Sequence, residues 1–264
     1  MVFNPIGTEL ELVWDIIAGF LTLFLVVLVI PINATLKRKE LISANVSRKV
    51  IHIFGSPIFV ESWLLYSGGV FSRVTSLITP ILLVLMFIGI GTGRVKNDDF
   101  VESMSRSGEP GELLKGTLYY ALAGVIVTIL WFYQPVSGPA NPMAFLIVGC
   151  LAGGDGLADI VGRKYGGERK FGIAGAEKTV AGSIGMFLGS FISCYILIAI
   201  ISIEVVAFDL VAFFLPIFII GAAATIIEAL SPPSIDNWTI CTIVVITAAL
   251  LSTIGLWPYP LLTL

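Results

Sequence analysis

Apolar runs alternate with polar connections along the chain, at about residues 12–32, 50–67, 74–93, 117–133, 143–162, 179–202, 209–229 and 239–257. Each approaches the roughly 20 residues a helix needs to cross the ~30 Å hydrocarbon core of a bilayer. The pattern predicts an all-α polytopic membrane protein with about eight transmembrane helices, or seven if one run does not cross. The second and fifth runs are interrupted, by Glu61 and by the pair Asp155 and Asp159. No internal repeat, low-complexity tract or soluble module breaks the alternation, so residues 1–264 read as a single transmembrane domain.

The polar connections alternate in charge. The loop at 33–49 carries Lys37, Arg38, Lys39, Arg48 and Lys49. The loop at 93–116 carries Arg94, Lys96, Arg106 and Lys115, and the segment 163–178 carries Arg163, Lys164, Arg169, Lys170 and Lys178. If every run crosses, 14 of the 15 Lys and Arg residues fall on one side, Arg73 being the exception. The positive-inside rule makes that side cytoplasmic and puts both termini outside. The loop at 93–116 is the longest. Its Asn97-Asp98-Asp99 and Ser107-Gly108-Glu109-Pro110-Gly111 mark it as a turn-rich, mobile connector, or a lid over a cytoplasmic site. Gly89-Ile90-Gly91-Thr92-Gly93, just before it, reads as a helix end.

Composition agrees with a membrane frame. The chain is 57% hydrophobic and only 12% charged, against about 25% charged in a soluble domain. The net charge of −3 says little about partners, and no nucleic-acid partner is expected. Glu9, Glu11 and Asp15 precede or enter the first run, where a signal peptide would be basic, so that run reads as a permanent span. Cys150, Cys194 and Cys241 lie in apolar runs with no metal-ligand spacing, and read as small buried residues. His52 is the only histidine, so a histidine-rich metal centre is excluded.

Candidate chemistry gathers around Gly153–Gly166. Asp155 and Asp159 are four apart, on one helix face, with Arg163 one turn further on. Carboxylates at membrane depth are costly and usually face an interior or a wet cavity. The pair suits a cation shared with phosphate oxygens; the alternative is a structural pairing of Asp159 with Arg163. Gly153, Gly154 and Gly156 let the backbone approach a ligand, or break the helix. Glu177-Lys178-Thr179 and Ser183 put an ammonium, two hydroxyls and free N–H groups at the start of a span, which suits an anion. A capped helix with a snorkelling lysine is the alternative. Arg48 and His52 share a face where the second run begins, and Glu61 lies deeper in it. Glu228, Asp236 and Asn237 occupy a turn with no basic residue nearby in sequence. Under the predicted topology all these groups lie at one membrane face.

In order, the chain carries Arg48-Lys49-x-x-His52, Gly154-Asp155-Gly156-x-Ala158-Asp159-x-x-Gly162-Arg163-x-x-Gly166, Glu177-Lys178-Thr179-x-x-Gly182-Ser183, and Glu228 followed by Asp236-Asn237. This set resembles the phytol kinase, farnesol kinase and dolichol kinase family of CTP-dependent membrane lipid kinases, over about residues 45–245. The central motifs also resemble phosphatidate cytidylyltransferases. The resemblance implies transfer of the γ-phosphoryl group of CTP, or another nucleoside triphosphate, to the hydroxyl of an isoprenoid alcohol such as phytol, geranylgeraniol or farnesol. It implies Mg²⁺ as cofactor, with Asp155, Asp159, Glu228 and Asp236 as metal ligands. Arg48, Lys49, Gly154, Gly156, Arg163, Lys164, Lys178, Thr179, Ser183 and Asn237 would bind the nucleotide. His52, Asp155 and Glu61 are the candidates for the group that receives the hydroxyl proton.

The alternatives are a cytidylyltransferase making a CDP-lipid, a CTP-dependent diacylglycerol kinase, and, on other grounds, a transporter. Membrane lipid, the alcohol and the nucleotide are the expected partners, and a homo-oligomer is compatible with the sequence. A proline expected shortly after Asp236-Asn237 is replaced here by Trp238-Thr239-Ile240-Cys241, which opens the question of how that turn packs. The chain is short for a dolichol kinase, which favours the small phytol-kinase type.

Overall fold

The computed structural model describes residues 4–42, 44–105, 107–133, 140–173, 176–203, 208–232, 235–257 and 259–262; Arg106 lies outside them. The described residues are helical, without strands, and gather into two compact units, Phe3–Ile129 and Leu130–Leu264.

The first unit comprises α1 (Glu11–Arg38), α2 (Ala44–Glu61), α3 (Ser72–Ser76), α4 (Ile78–Gly91), α5 (Asp98–Met104) and most of α6 (Gly116–Trp131). Long apolar runs make the spanning helices, because only internal hydrogen bonding satisfies the backbone in hydrocarbon. Polar side chains then fix their register. The Asn33 amide on α1 donates to the Ser47 carbonyl at 3.0 Å and to its Oγ at 2.6 Å on α2. Asp15, fully buried in α1, accepts the Ser67 N–H at 2.7 Å, the Ser67 hydroxyl at 3.0 Å and the Ser72 hydroxyl at 2.7 Å. The sequence reading used Asp15 only as an acidic flank; it is an internal anchor for the start of α3.

The loop at 93–116 is folded rather than turn-rich. Asn97 caps α5 by accepting the Phe100 N–H at 3.0 Å. Phe100 and Val101 of α5 and Leu113 of the 3₁₀ turn Pro110–Leu114 share a core with Phe87, Ile90 and Ala121. The Glu112 carboxylate accepts the Ser105 hydroxyl at 2.6 Å and the Ser107 N–H at 3.0 Å. The preceding glycine cluster ends α4 at Gly91, as expected, with Gly93 in the left-handed region at φ 74°.

In the second unit, α7 (Met143–Val148), a π-wound segment (Gly149–Gly154) and α8 (Asp155–Tyr165) follow one another without a break. α9 (Val180–Ile201) lies against them, followed by α10 (Phe214–Leu230) and α11 (Asp236–Thr253). Small residues set this packing. A Cβ on Gly189 would fall 2.3 Å from the Gly153 carbonyl oxygen, and one on Gly154 would fall 2.2 Å from Ser190 Oγ. Gly153 and Gly154 thus let α9 approach, where the sequence reading expected a ligand or a broken helix. The wide π turn that they end sets Asp155 at the head of α8.

Among the described residues, six stretches are long and apolar enough to cross a membrane: Thr8–Arg38, Ser72–Gly91, Pro110–Trp131, Met143–Tyr165, Val180–Ile201 and Asp236–Thr253. The run expected at 209–229 becomes α10, with 17 residues. It starts late because Asp209 Oδ1 accepts the Val211 and Ala212 N–H groups and turns the chain there. The run expected at 50–67 is α2, which begins among Arg48 and Lys49, carries Pro57 and Glu61, and passes into a 3₁₀ turn at Ser62–Leu65. It is not among the six.

Candidate functional site

The segment after α8 folds back on itself. The Gly166 N–H bonds the Gly162 carbonyl, and Phe171 and Lys178 exchange both backbone hydrogen bonds, at 2.9 and 2.7 Å. An exposed Lys170–Glu177 ion pair closes the same turn. This delivers Lys178 to the foot of α9. Thr179, extended at φ −132° and ψ 154°, caps that helix, its Oγ1 accepting the Gly182 N–H at 3.0 Å.

The Lys178 ammonium makes a direct ion pair with Glu228 at the end of α10, whose residue is only 3% exposed. Asp236 Oδ2, at the start of α11, lies 4.0 Å from the same nitrogen. Asp155, the first residue of α8, is close enough for its charge to act on both Lys178 and Glu228. Burial works to lower the Lys178 pKa, but the Glu228, Asp236 and Asp155 carboxylates outweigh it and hold the ammonium above its usual value. One ammonium therefore faces three carboxylates from three helices. Glu228 and Asp236 seemed to lack a basic partner in sequence; Lys178, 50 residues from Glu228, is that partner.

The other candidates of this unit divide. Asp159 pairs with Arg163 at 2.9 Å along α8, so Asp155 and Asp159 share a face but not a partner. Lys164 Nζ sits 5.2 Å over the Tyr165 ring. Gly156 is buried in α8, and Asn237 is buried in the first turn of α11. The Ser183 hydroxyl is buried without a hydrogen-bond partner among the described residues. So is Ser190 Oγ, two turns further along α9, which the sequence reading did not single out. The turn lacking its proline is closed by hydroxyls: Thr239 Oγ1 donates to the Asp236 carbonyl at 2.9 Å and lies 2.5 Å from Ser231 Oγ.

Among the described residues, no three Asp, Glu, His or Cys side chains form a ready metal cage. Mg²⁺ characteristically uses one or two carboxylates and completes its shell with waters and substrate phosphates. One or two of the carboxylates of Asp155, Glu228 and Asp236, with waters and phosphate oxygens completing the shell, meet that requirement; the three together form no cage.

Arg48, Lys49, His52 and Glu61 belong to the first unit. Arg48 pairs with Glu112 at 3.2 Å, and Lys49 is buried. The His52 ring lies 4.2 Å from that of Tyr120. Both carboxylate oxygens of Glu61 are buried with no hydrogen-bond partner among the described residues.

Helices fit to span a bilayer, joined to a compact charged group at three helix ends, define a multi-pass membrane protein with a polar site at one end of a helix bundle. Comparison with known proteins takes this further. Rice "Probable phytol kinase 1, chloroplastic" is 34% identical over 157 residues, which are 60% of this chain and 48% of that protein. Arabidopsis "Phytol kinase 1, chloroplastic" is 30% identical over 197 residues, 74% and 62% of the two chains. Arabidopsis "Farnesol kinase, chloroplastic" is 31% identical over 156 residues, 59% and 46% of the two. By sequence, the chain is similar to these phytol and farnesol kinases. It spans about half the length of several curated relatives it matches, the first of these among them. No family model matches the chain, and no solved structure matches it.

Proposed function

We propose that this protein is a membrane prenol kinase. It would transfer the terminal phosphoryl group of a nucleoside triphosphate, CTP by motif resemblance, to the hydroxyl of an isoprenoid alcohol. The observation that carries the reading is the Lys178 ammonium held among Glu228, Asp236 and Asp155 at the ends of α8, α10 and α11. Phosphoryl transfer is mainly positioning and charge stabilisation, with little covalent work for the protein.

In the reaction, the alcohol oxygen bonds to the γ-phosphorus, the bond to the β–γ bridging oxygen breaks, and the nucleoside diphosphate leaves with those electrons. Lys178 meets phosphate oxygens as a fixed cation. Its raised pKa keeps it charged at neutral pH. Ser183 has an uncommitted hydroxyl to donate. Thr179 Oγ1 accepts from the helix and still has its own proton to donate. Asp155, Glu228 and Asp236 would hold Mg²⁺ against the triphosphate, with Asp159 and Asn237 beside them on α8 and α11; the ion would supply charge neutralisation. Arg163 and Lys164 extend the basic side of the segment. Arg48, Lys49, His52 and Glu61 are further candidates, for nucleotide binding or for taking the hydroxyl proton, on the motif resemblance. If α2 and α10 cross as well, the excess of basic residues in alternate loops would orient the site to the cytoplasmic side.

The test is turnover by purified protein reconstituted in liposomes, with CTP labelled in either the γ- or the α-phosphate. Phytol, geranylgeraniol, farnesol and diacylglycerol serve as acceptors. The expected result is γ-label in the prenyl monophosphate and none from the α-position. α-Label in the lipid would make the protein a cytidylyltransferase, and label in diacylglycerol alone would make it a diacylglycerol kinase; either overturns the proposal.

A further inference from the structure

α9 carries two adjacent stripes of different chemistry. One is aliphatic and exposed: Ile184, Leu188, Ile192 and Ile196 are 47–55% accessible. The other begins at the unpartnered Ser183 hydroxyl and continues at four-residue steps through the half-buried rings of Phe187, Phe191 and Tyr195. α10 runs the opposite way beside it and adds Phe218 and Phe214. Phe218 stands edge-on to Phe187, with ring centres 5.3 Å apart, and Phe214 stands edge-on to Phe191 at 5.6 Å. The far end is closed by Tyr195, 6.3 Å from Phe214, whose hydroxyl donates to the Leu210 carbonyl at 3.1 Å. The near end is where the same two helices bring Lys178 and Glu228 together.

This seam is therefore continuous with the charged site. From Ser183 to Tyr195 it runs about 18 Å along the helix axis, roughly the depth of one leaflet of a ~30 Å hydrocarbon core. A surface meant only for bulk lipid would need no such segregation, and the neighbouring stripe shows what that surface looks like. We propose that the aromatic seam between α9 and α10 is the track on which the isoprenoid tail of the acceptor lies, with its hydroxyl end at Ser183. This rests on the kinase reading above. A methyl-branched prenyl chain presents C–H groups to ring faces and edges. Rings with two rotatable bonds lose little freedom in receiving it.

The test uses Phe191→Ala and Phe214→Ala, with Ile192→Ala as the control on the exposed stripe. Turnover is measured with geranylgeraniol and with geraniol, whose short tail ends before Phe191. Each ring deletion is expected to raise KM for geranylgeraniol about tenfold, as one lost ring contact allows. Geraniol turnover, which also reports correct folding, and the Ile192→Ala variant stay as in the wild type. Equal effects on both alcohols, no effect on either, or the same effect from Ile192→Ala overturns the proposal. A second arm needs no catalysis: a photoreactive geranylgeraniol analogue is cross-linked to the intact protein and the labelled peptides are sequenced. Labels on α9 and α10 without turnover of any prenol would sink the kinase reading and leave the track standing. Turnover with labels confined to other helices would do the reverse.

Discussion

Replacing Lys178 with methionine keeps most of its length and removes its charge. Its side chain is 19% exposed and that of Glu228 is 4% exposed, so the pair is largely out of water. The Glu228 carboxylate would be left buried among Asp155 and Asp236 with no cation. Removing one partner of a buried ion pair typically costs about 3–5 kcal/mol, because the other charge stays desolvated and unpaired. For a chain of this size that lowers the melting temperature by about 6–20 °C. The double variant Lys178→Met/Glu228→Gln removes the stranded charge. It should recover about 2–3 kcal/mol of the loss. Phosphoryl transfer should behave differently. Loss of a fixed cation at the phosphate costs about 10²–10³ in kcat, and the double variant regains none of it. Thermal melts in detergent, paired with γ-label transfer from CTP, separate the two effects. The pH dependence has a definite sign. A lysine whose folded pKa lies above its usual 10.5 contributes fully below that value, and loses its contribution only as pH rises through the higher folded value. Titration of Lys178 itself should therefore leave the wild-type melting temperature unchanged between pH 7 and pH 9. A single variant melting within about 2 °C of wild type would refute the reasoning. So would a double variant that regains activity together with stability.

Asp155→Asn should lower kcat more than Asp159→Asn, because Asp155 acts within the Lys178 group while Asp159 is neutralised by Arg163 at 2.9 Å; equal losses in a steady-state assay would contradict that division. Gly189→Ala places a methyl 2.3 Å from the Gly153 carbonyl oxygen, so it should destabilise by about 1–3 kcal/mol as overpacking does, read as a lower melting temperature. Asp15→Ala leaves the buried Ser67 N–H without its acceptor, at a cost of about 1–3 kcal/mol, and a melt unchanged from wild type would argue against an anchoring role. Thr179→Val deletes the α9 cap and should cost about 1 kcal/mol, with Thr179→Ser restoring it.

What hydropathy can read is the length and polarity of a run, and on that count the frame was legible. The long runs at 12–32, 143–162, 179–202 and 239–257 all have helical counterparts of spanning length. Hydropathy cannot see where a local hydrogen bond bends the chain, so it placed the start of α10 before the Asp209 turn. It also cannot see that a run with Pro57 and Glu61 stops short at Glu61. The site was legible as a set of motifs but not as a set of partners. Asp155 and Asp159 share a face by periodicity alone, and periodicity likewise offered Arg163 to Asp159. Lys178 and Glu228 are joined only by the antiparallel course of α9 and α10, which no local pattern encodes. The glycines show a signal that was present and went unused. Gly182, Gly185 and Gly189 fall on one side of α9, and Gly153, Gly154 and Gly162 answer them from the π segment and α8. Spacing of that kind announces two backbones in contact. Its consequence for chemistry is indirect but physical: only because α9 can lie this close to α8 do Asp155, at the head of one helix, and Lys178, at the foot of the other, act on each other's charge.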